Sequence, residues 1–362
     1  MVVWNPKVPY GPLTQSRMEA NVSVLAMTRS FRVGFRGALA AMILVPATAL
    51  GQQFTMKLSS PTINDLTHEY FKRLKTGVEQ RAGGRIKVEI YPANQLGQIP
   101  RVVEGVALGT IEVGVAASGF FVGLEPRFQV FDAPGLFDSL EHGYKVMIDP
   151  QIRSRWASFG ADKGVEMFSP GVYAPLALLN LKPIRAITDL RGQKIRTPGG
   201  AAIQVEPYRK LGILPISLPL GEALPAMQNH TIDGLISALT VFTNFKYHDI
   251  AKSVTYLPGT TLLAPAVVNR QFMKSLGPEL EAIVREEARK AEAAYGEWNT
   301  EENKRGEDAW RRSGGELITL SADETKRYLD VVAPIATSIL SANPKIKEDY
   351  DAFLAAGARL RK

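Results

Sequence analysis

From Phe54 onward the apolar positions switch repeatedly between a two-residue and a 3.6-residue period. Thr55–Leu58, Ile86–Tyr91 and Glu112–Ala116 read as short strands. Between them, Asp65–Gln80 places Leu66, Tyr70, Phe71, Leu74 and Val78 on one helical face, and Gly83-Gly84 stops it. Ile99–Leu108 forms a second helix. Phe131–Leu136 and helices near His142–Met147 and Ile152–Gly160 follow. A second set begins after Tyr173: strand Lys194–Arg196, helix Ala202–Leu211, strand Leu214–Leu218, helix Gly221–Gln228, strand Ile232–Ile236 and strand Ala264–Asn269. Strand and helix in alternation predict a mainly parallel sheet with helices on both faces. A long helix over about Pro278–Arg312 buries Leu280, Ile283, Val284, Ala288, Ala291, Tyr295 and Trp298, with a charged outer face. Helices near Ala322–Ala342 and Pro344–Leu360 close the chain.

The first 51 residues follow other rules. Arg29, Arg32 and Arg36 precede the apolar stretch Gly37–Leu50, which is too short to span a bilayer. Ala47 and Ala49 supply the small residues of a cleavage site, so residues 1–51 read as a secretory signal peptide cut after Ala49 or Gly51. Residues 1–26 do not suit a signal n-region. Met27 opens a more ordinary one, which suggests a true start there.

Composition then narrows the function. The chain has 362 residues, enough for two domains, with 45% hydrophobic and 22% charged content. Residues 1–51 hold five basic and one acidic residue, so without them the formal net charge falls from +7 to about +3. That leaves no basic stripe for nucleic acid. Cysteine is absent, which excludes disulfides, thiol nucleophiles, Cys metal sites and a lipobox anchor. The four histidines, His68, His142, His230 and His248, lie in no metal-binding spacing, and no nucleophile elbow or phosphate loop occurs. No catalytic residue, metal or cofactor is expected.

The segment Asn180–Pro198, NLKPIRAITDLRGQKIRTP, is the most informative. Strand Lys194–Arg196 carries Arg196 to its C-terminal tip, where open α/β sheets place ligands. A guanidinium is a planar, permanently charged fork that suits a carboxylate through two hydrogen bonds. An Arg that merely caps the strand in water would look the same in isolation.

Five segments in order carry a resemblance to a known family: GGRIKVEIYPANQLGQ (Gly83–Gln98), VFDAPGLF (Val130–Phe137), DLRGQKIRTP (Asp189–Pro198), EALPAMQNHTIDG (Glu222–Gly234) and APAVVNRQFMKSLGPEL (Ala264–Leu280). Over roughly residues 53–335 the chain resembles the substrate-binding subunits of TRAP (tripartite ATP-independent periplasmic) transporters. The resemblance implies a two-domain α/β periplasmic binding protein-like fold with a ligand cleft and a long helix bracing both domains. Transferred boundaries give domain I as 53–173 plus 263–302 and domain II as 174–262 plus 303–362. It also implies a periplasmic protein that hands a small carboxylate to membrane permease subunits, monomeric with dimerisation left open.

Within the resemblance, Arg196 matches the Arg that clamps the ligand carboxylate. Two departures stand out. Many members carry a second Arg where this chain reads GVYAPLALLN, with Tyr173 the nearest polar residue, and Ser237 occupies the position of a ligand-touching Asn. A second ligand carboxylate would lack its cation, so a monocarboxylate is favoured. Ser118 could offer donors to the cleft, and Glu222 either a ligand contact or a helix-start charge. Phe120, Phe121, Tyr173 and Phe242 could line it, or simply pack in the core. A secreted carboxylate-dependent enzyme and a sensory binding protein remain alternatives at this level.

Overall fold

The computed structural model describes residues 53–361; the expected signal peptide lies outside them. Strands β1 (Phe54–Ser59), β2 (Ile86–Tyr91) and β3 (Val113–Val115) alternate with helices α1 (Leu66–Arg81) and α2 (Ile99–Leu108). The start of α1 follows from chemistry: Asp65 is extended, and its carboxylate accepts the His68 N–H at 3.0 Å, satisfying one orphan donor of the first turn. Leu66, Tyr70, Phe71, Leu74 and Val78 form its buried face, as their spacing predicts.

After α3 (Leu140–Ile148), α4 (Pro150–Trp156) and β4 (Val165–Ser169), strand β5 (Val172–Asn180) carries the chain into a second sheet. There β6 (Lys194–Thr197), α5 (Ala202–Lys210), β7 (Leu214–Ser217), α6 (Leu220–Gln228), β8 (Gly234–Ser237) and α7 (Leu239–Asn244) follow in turn. Strand β9 (Ser253–Leu263) leads back to β10 (Ala266–Asn269) in the first sheet. The orders are β2-β1-β3-β10-β4 and, with β11 (Glu316–Ile318), β11-β9-β5-β8-β6-β7.

The βαβ units are parallel as expected, but both sheets are mixed. In the first, β10 runs antiparallel to β3 and β4; in the second, β5 runs antiparallel to β8 and to β9, where the chain passes between the sheets. At that passage Ala264 N–H donates to Gly171 O at 2.7 Å, and Gly171 has φ +59° with the Ala264 carbonyl where a Cβ would stand. Only glycine suits that crossing.

The expected long helix is interrupted. Helix α8 (Arg270–Ser275) precedes α9 (Gly277–Ala291), a 3-10 turn spans Glu292–Tyr295, and α10 (Glu297–Arg312) resumes after Gly296. The break pulls polar groups inward: Glu292, 1% exposed, pairs with Arg153, and the Tyr295 hydroxyl meets Ser169 at 2.7 Å. Gly296 at φ −83°, ψ −124° ends helical geometry. The brace survives the break, since α9 packs on α1 of the first lobe and α10 on α7 of the second. Helix α11 (Ala322–Ser341) packs on α5. Helix α12 (Pro344–Leu360) packs on α3, α4, α11 and the turn Pro126–Asp132, tied to that turn by Arg127 and Asp349.

Candidate functional site

Arg196 sits one residue from the end of β6, between β7 and β8, and is 2% exposed. Its Nε donates to Leu218 O at 2.9 Å and its Nη1 to Ile236 O at 3.0 Å. Both carbonyls lie at the C-terminal ends of the flanking strands, so two backbone dipoles hold the fork flat and in place. Nη2 makes no hydrogen bond among the described residues, and no carboxylate there pairs with the cation. Burial pushes its pKa down to about 10, with Tyr247 nearby acting weakly the other way, so the group is still charged at neutral pH.

A cavity of about 40 Å³ opens beside this guanidinium. Thr62, Ile99, Val115 and Phe120 line it from the first lobe; Leu220, Ser237 and Val241 line it from the second; Tyr173 and Leu262 belong to the crossing strands. The wall is mostly apolar with a few polar groups, the usual make-up of a small-molecule site. Phe120 lies across the lobes from Arg196, its ring centre 5.9 Å from the guanidinium carbon, within cation–π range.

Tyr173 is fixed at both ends. Its carbonyl accepts the Asn299 amide of α10 at 2.9 Å, and its hydroxyl donates to Asp65 Oδ2 at 2.5 Å. Burial, then the Asp65 charge, drives this phenol well above its ordinary range. Ser237 ends β8, is 4% exposed, and its hydroxyl has no partner among the described residues.

Arg196, Tyr173 and Ser237, with Phe120, therefore meet in one cavity. The other four candidate residues lie away from it. Ser118 is fully buried and gives its hydroxyl to Asp132 at 2.9 Å, because the 3-10 turn at Ser118–Phe120 aims it back into the first lobe. Phe121 packs at a tilt on Phe128, and Phe242 edge-on to Tyr247 and tilted against Trp310, as fully buried core. Glu222 is exposed on the first turn of α6, where it fits the helix-start role.

Residues not singled out by sequence also matter. Asp65 announces itself only as an N-cap, which concealed its bond to Tyr173. Gln204 of α5 is 3% exposed and lies between Gly119 of the first lobe and Gly199 of the second. It neighbours Asp132, whose carboxyl burial raises to about 7 against the opposing Ser118 hydrogen bond. No sequence signal marks that seam.

Residues 59–343 match the profile of the bacterial extracellular solute-binding proteins, family 7. The chain belongs to that family. It is the substrate-binding subunit type of TRAP transporters, whose members bind small organic acids and work with membrane permeases. The binding protein is 25% identical, over 70% of its length and 77% of the relative's, to the 2,3-diketo-L-gulonate-binding periplasmic protein YiaO of Escherichia coli. Two solved TRAP periplasmic solute-binding proteins share its fold. One, from Desulfovibrio salexigens with bound orotic acid, gives a TM-score of 0.80 at 20% identity, covering 85% of this chain and all of the other. The second, from Anaerococcus prevotii with bound glucuronate, gives 0.79 at 22% identity, covering 85% and 99%. The two-sheet α/β binding protein's fold agrees with what the resemblance implied.

Proposed function

We propose that this TRAP-type binding protein captures a small monocarboxylate in the cavity between its lobes, with Arg196 as the carboxylate clamp. One observation carries the reading: a buried, charged guanidinium holds two backbone carbonyls, keeps a third nitrogen unbonded toward a cavity, and has no acidic partner among the described residues. A buried charge of that kind is costly unless an anion joins it. Nη2 and the remaining Nη1 hydrogen supply donors for one carboxylate.

Among the described residues, Arg196 is the one basic residue lining the cavity. A second ligand carboxylate would be desolvated without a cation, which favours one acidic group per ligand. Ser237 is placed to donate to the same carboxylate or to the ligand body. Closure of the lobes about the β5–β9 crossing excludes water and strengthens the pairing. The protein works in the periplasm, to which residues 1–51 direct it, and delivers the acid to a permease without covalent chemistry. Solved relatives hold monocarboxylates such as orotic acid and glucuronate and dicarboxylates such as succinate and malate, so the single-carboxylate reading rests on this chain's own cavity lining.

A thermal-shift screen of the purified protein tests it. A ligand that binds only the folded form adds about 2.7 kcal/mol at a hundred times its Kd. Small monocarboxylates should raise the melting temperature, and neutral sugars should not. A response confined to dicarboxylates would overturn the single-carboxylate reading.

A further inference from the structure

We infer that Tyr173 and Asp65 form a second recognition point, which selects acids carrying a hydroxyl on the body of the molecule. This rests on the carboxylate reading of Arg196 and extends it to the other side of the cavity.

The argument turns on which way one hydrogen points. Tyr173 lines the cavity, and its phenol can donate one hydrogen bond and accept others. Its single hydrogen is committed to Asp65 Oδ2 at 2.5 Å, a short bond to a buried carboxylate. Asp65 is 1% exposed and makes no ion pair with a described basic residue, so it has strong reason to keep that hydrogen. The oxygen facing the ligand is then acceptor only, and electron-rich through its bond to the anion. The Thr62 and Thr240 hydroxyls lie beside the same oxygen as rotatable donors, so a ligand hydroxyl takes one of the lone pairs they can reach. Thr62 also lines the cavity.

A matching ligand must therefore donate. The choice between a hydroxyl and an ammonium follows from how Asp65 is covered. Its Oδ2 takes the Tyr173 hydroxyl and its Oδ1 the His68 N–H, at the positive end of α1. The carboxylate charge is met from both sides and does not line the cavity. A neutral O–H suits such a site, whereas an ammonium would be stripped of water without a facing anion. Carboxylate at Arg196 and hydroxyl at Tyr173 together describe a small hydroxy acid.

Titration calorimetry with matched acids tests the inference: lactate with propionate, 3-hydroxybutyrate with butyrate, mandelate with phenylacetate, and alanine as the ammonium counterpart of lactate. At least one hydroxy acid should bind tenfold or more tightly than its deoxy partner, and alanine more weakly than lactate. In Tyr173→Phe the ratio should fall to within about threefold, mainly through loss of the hydroxy acid. Asp65→Asn, which keeps a capping oxygen, should also narrow the ratio and guards against a folding defect in the first variant. Equal binding of both partners, or a ratio unchanged in both variants, overturns the inference while the clamp stands. Tighter binding of alanine replaces hydroxyl by ammonium recognition and overturns it too. Binding of no monocarboxylate overturns the clamp reading and this inference with it.

Discussion

The amide of Gln204, on the second lobe, occupies the space that a side chain at Gly119 of the first lobe would need, so a Cβ there would overlap it. The two lobes therefore meet here through a pair matched in size: a long polar side chain against a bare backbone.

The Gln204 amide is the end of a flexible side chain and can yield to one Cβ, so a bulkier change, Gly119→Leu, should hold the lobes apart. Overpacking a close contact costs about 1–3 kcal/mol, charged here against closure and not against folding of either lobe. Affinity for the best acid should drop on the order of tenfold, and small-angle scattering should show a larger radius of gyration with ligand present. The melting temperature without ligand should stay close to that of the parent. Unchanged affinity and compaction would mean the seam does not govern closure.

Asp132 makes stability depend on pH. Its carboxyl titrates near 7 in the folded chain, raised by burial, against its ordinary 3.8. The folded state then holds a proton that the unfolded state has released, so the contribution is fully present below about pH 4 and is lost as pH rises through about 7. Melting curves between pH 4.5 and 8 should show the parent losing stability relative to Asp132→Asn as pH rises. Parallel curves would show that this carboxyl is not held protonated.

Arg127 and Asp349 anchor α12. Arg127 donates to Asp349 through Nε at 2.6 Å and Nη2 at 3.0 Å, with the Asp349 side chain 2% exposed. Asp349→Ala leaves a buried guanidinium with less compensation, a loss of about 3–5 kcal/mol. The melting temperature should fall by roughly 5–15 °C, and Arg127→Met added to it should restore part. Ligand affinity should change less than twofold, because the pair lies far from the cavity-lining residues.

Much of this was legible in the sequence, for identifiable reasons. Ile86–Tyr91 and Ile99–Leu108 appear at their expected bounds because period and punctuation agree there. Strands β5 and β9 gave no such signal. The first is apolar on nearly every residue with Pro175 inside it, and the second contains Pro258 and Gly259, which ordinarily break strands. The 292–296 interruption was hidden because Tyr295 keeps helical spacing while its hydroxyl is drawn to Ser169. At the site, Arg196 was visible from its strand and its flanking Gly and Pro. Asp65 and Gln204 were not, since their partners lie far along the chain.

The most direct test compares Arg196→Ala with the parent by calorimetry, using the acid that gives the largest thermal shift. The fork is buried, charged and without an acidic partner among the described residues, so removing it should abolish measurable binding while the melting temperature holds or rises. Retained affinity in a normally folded variant would contradict the account.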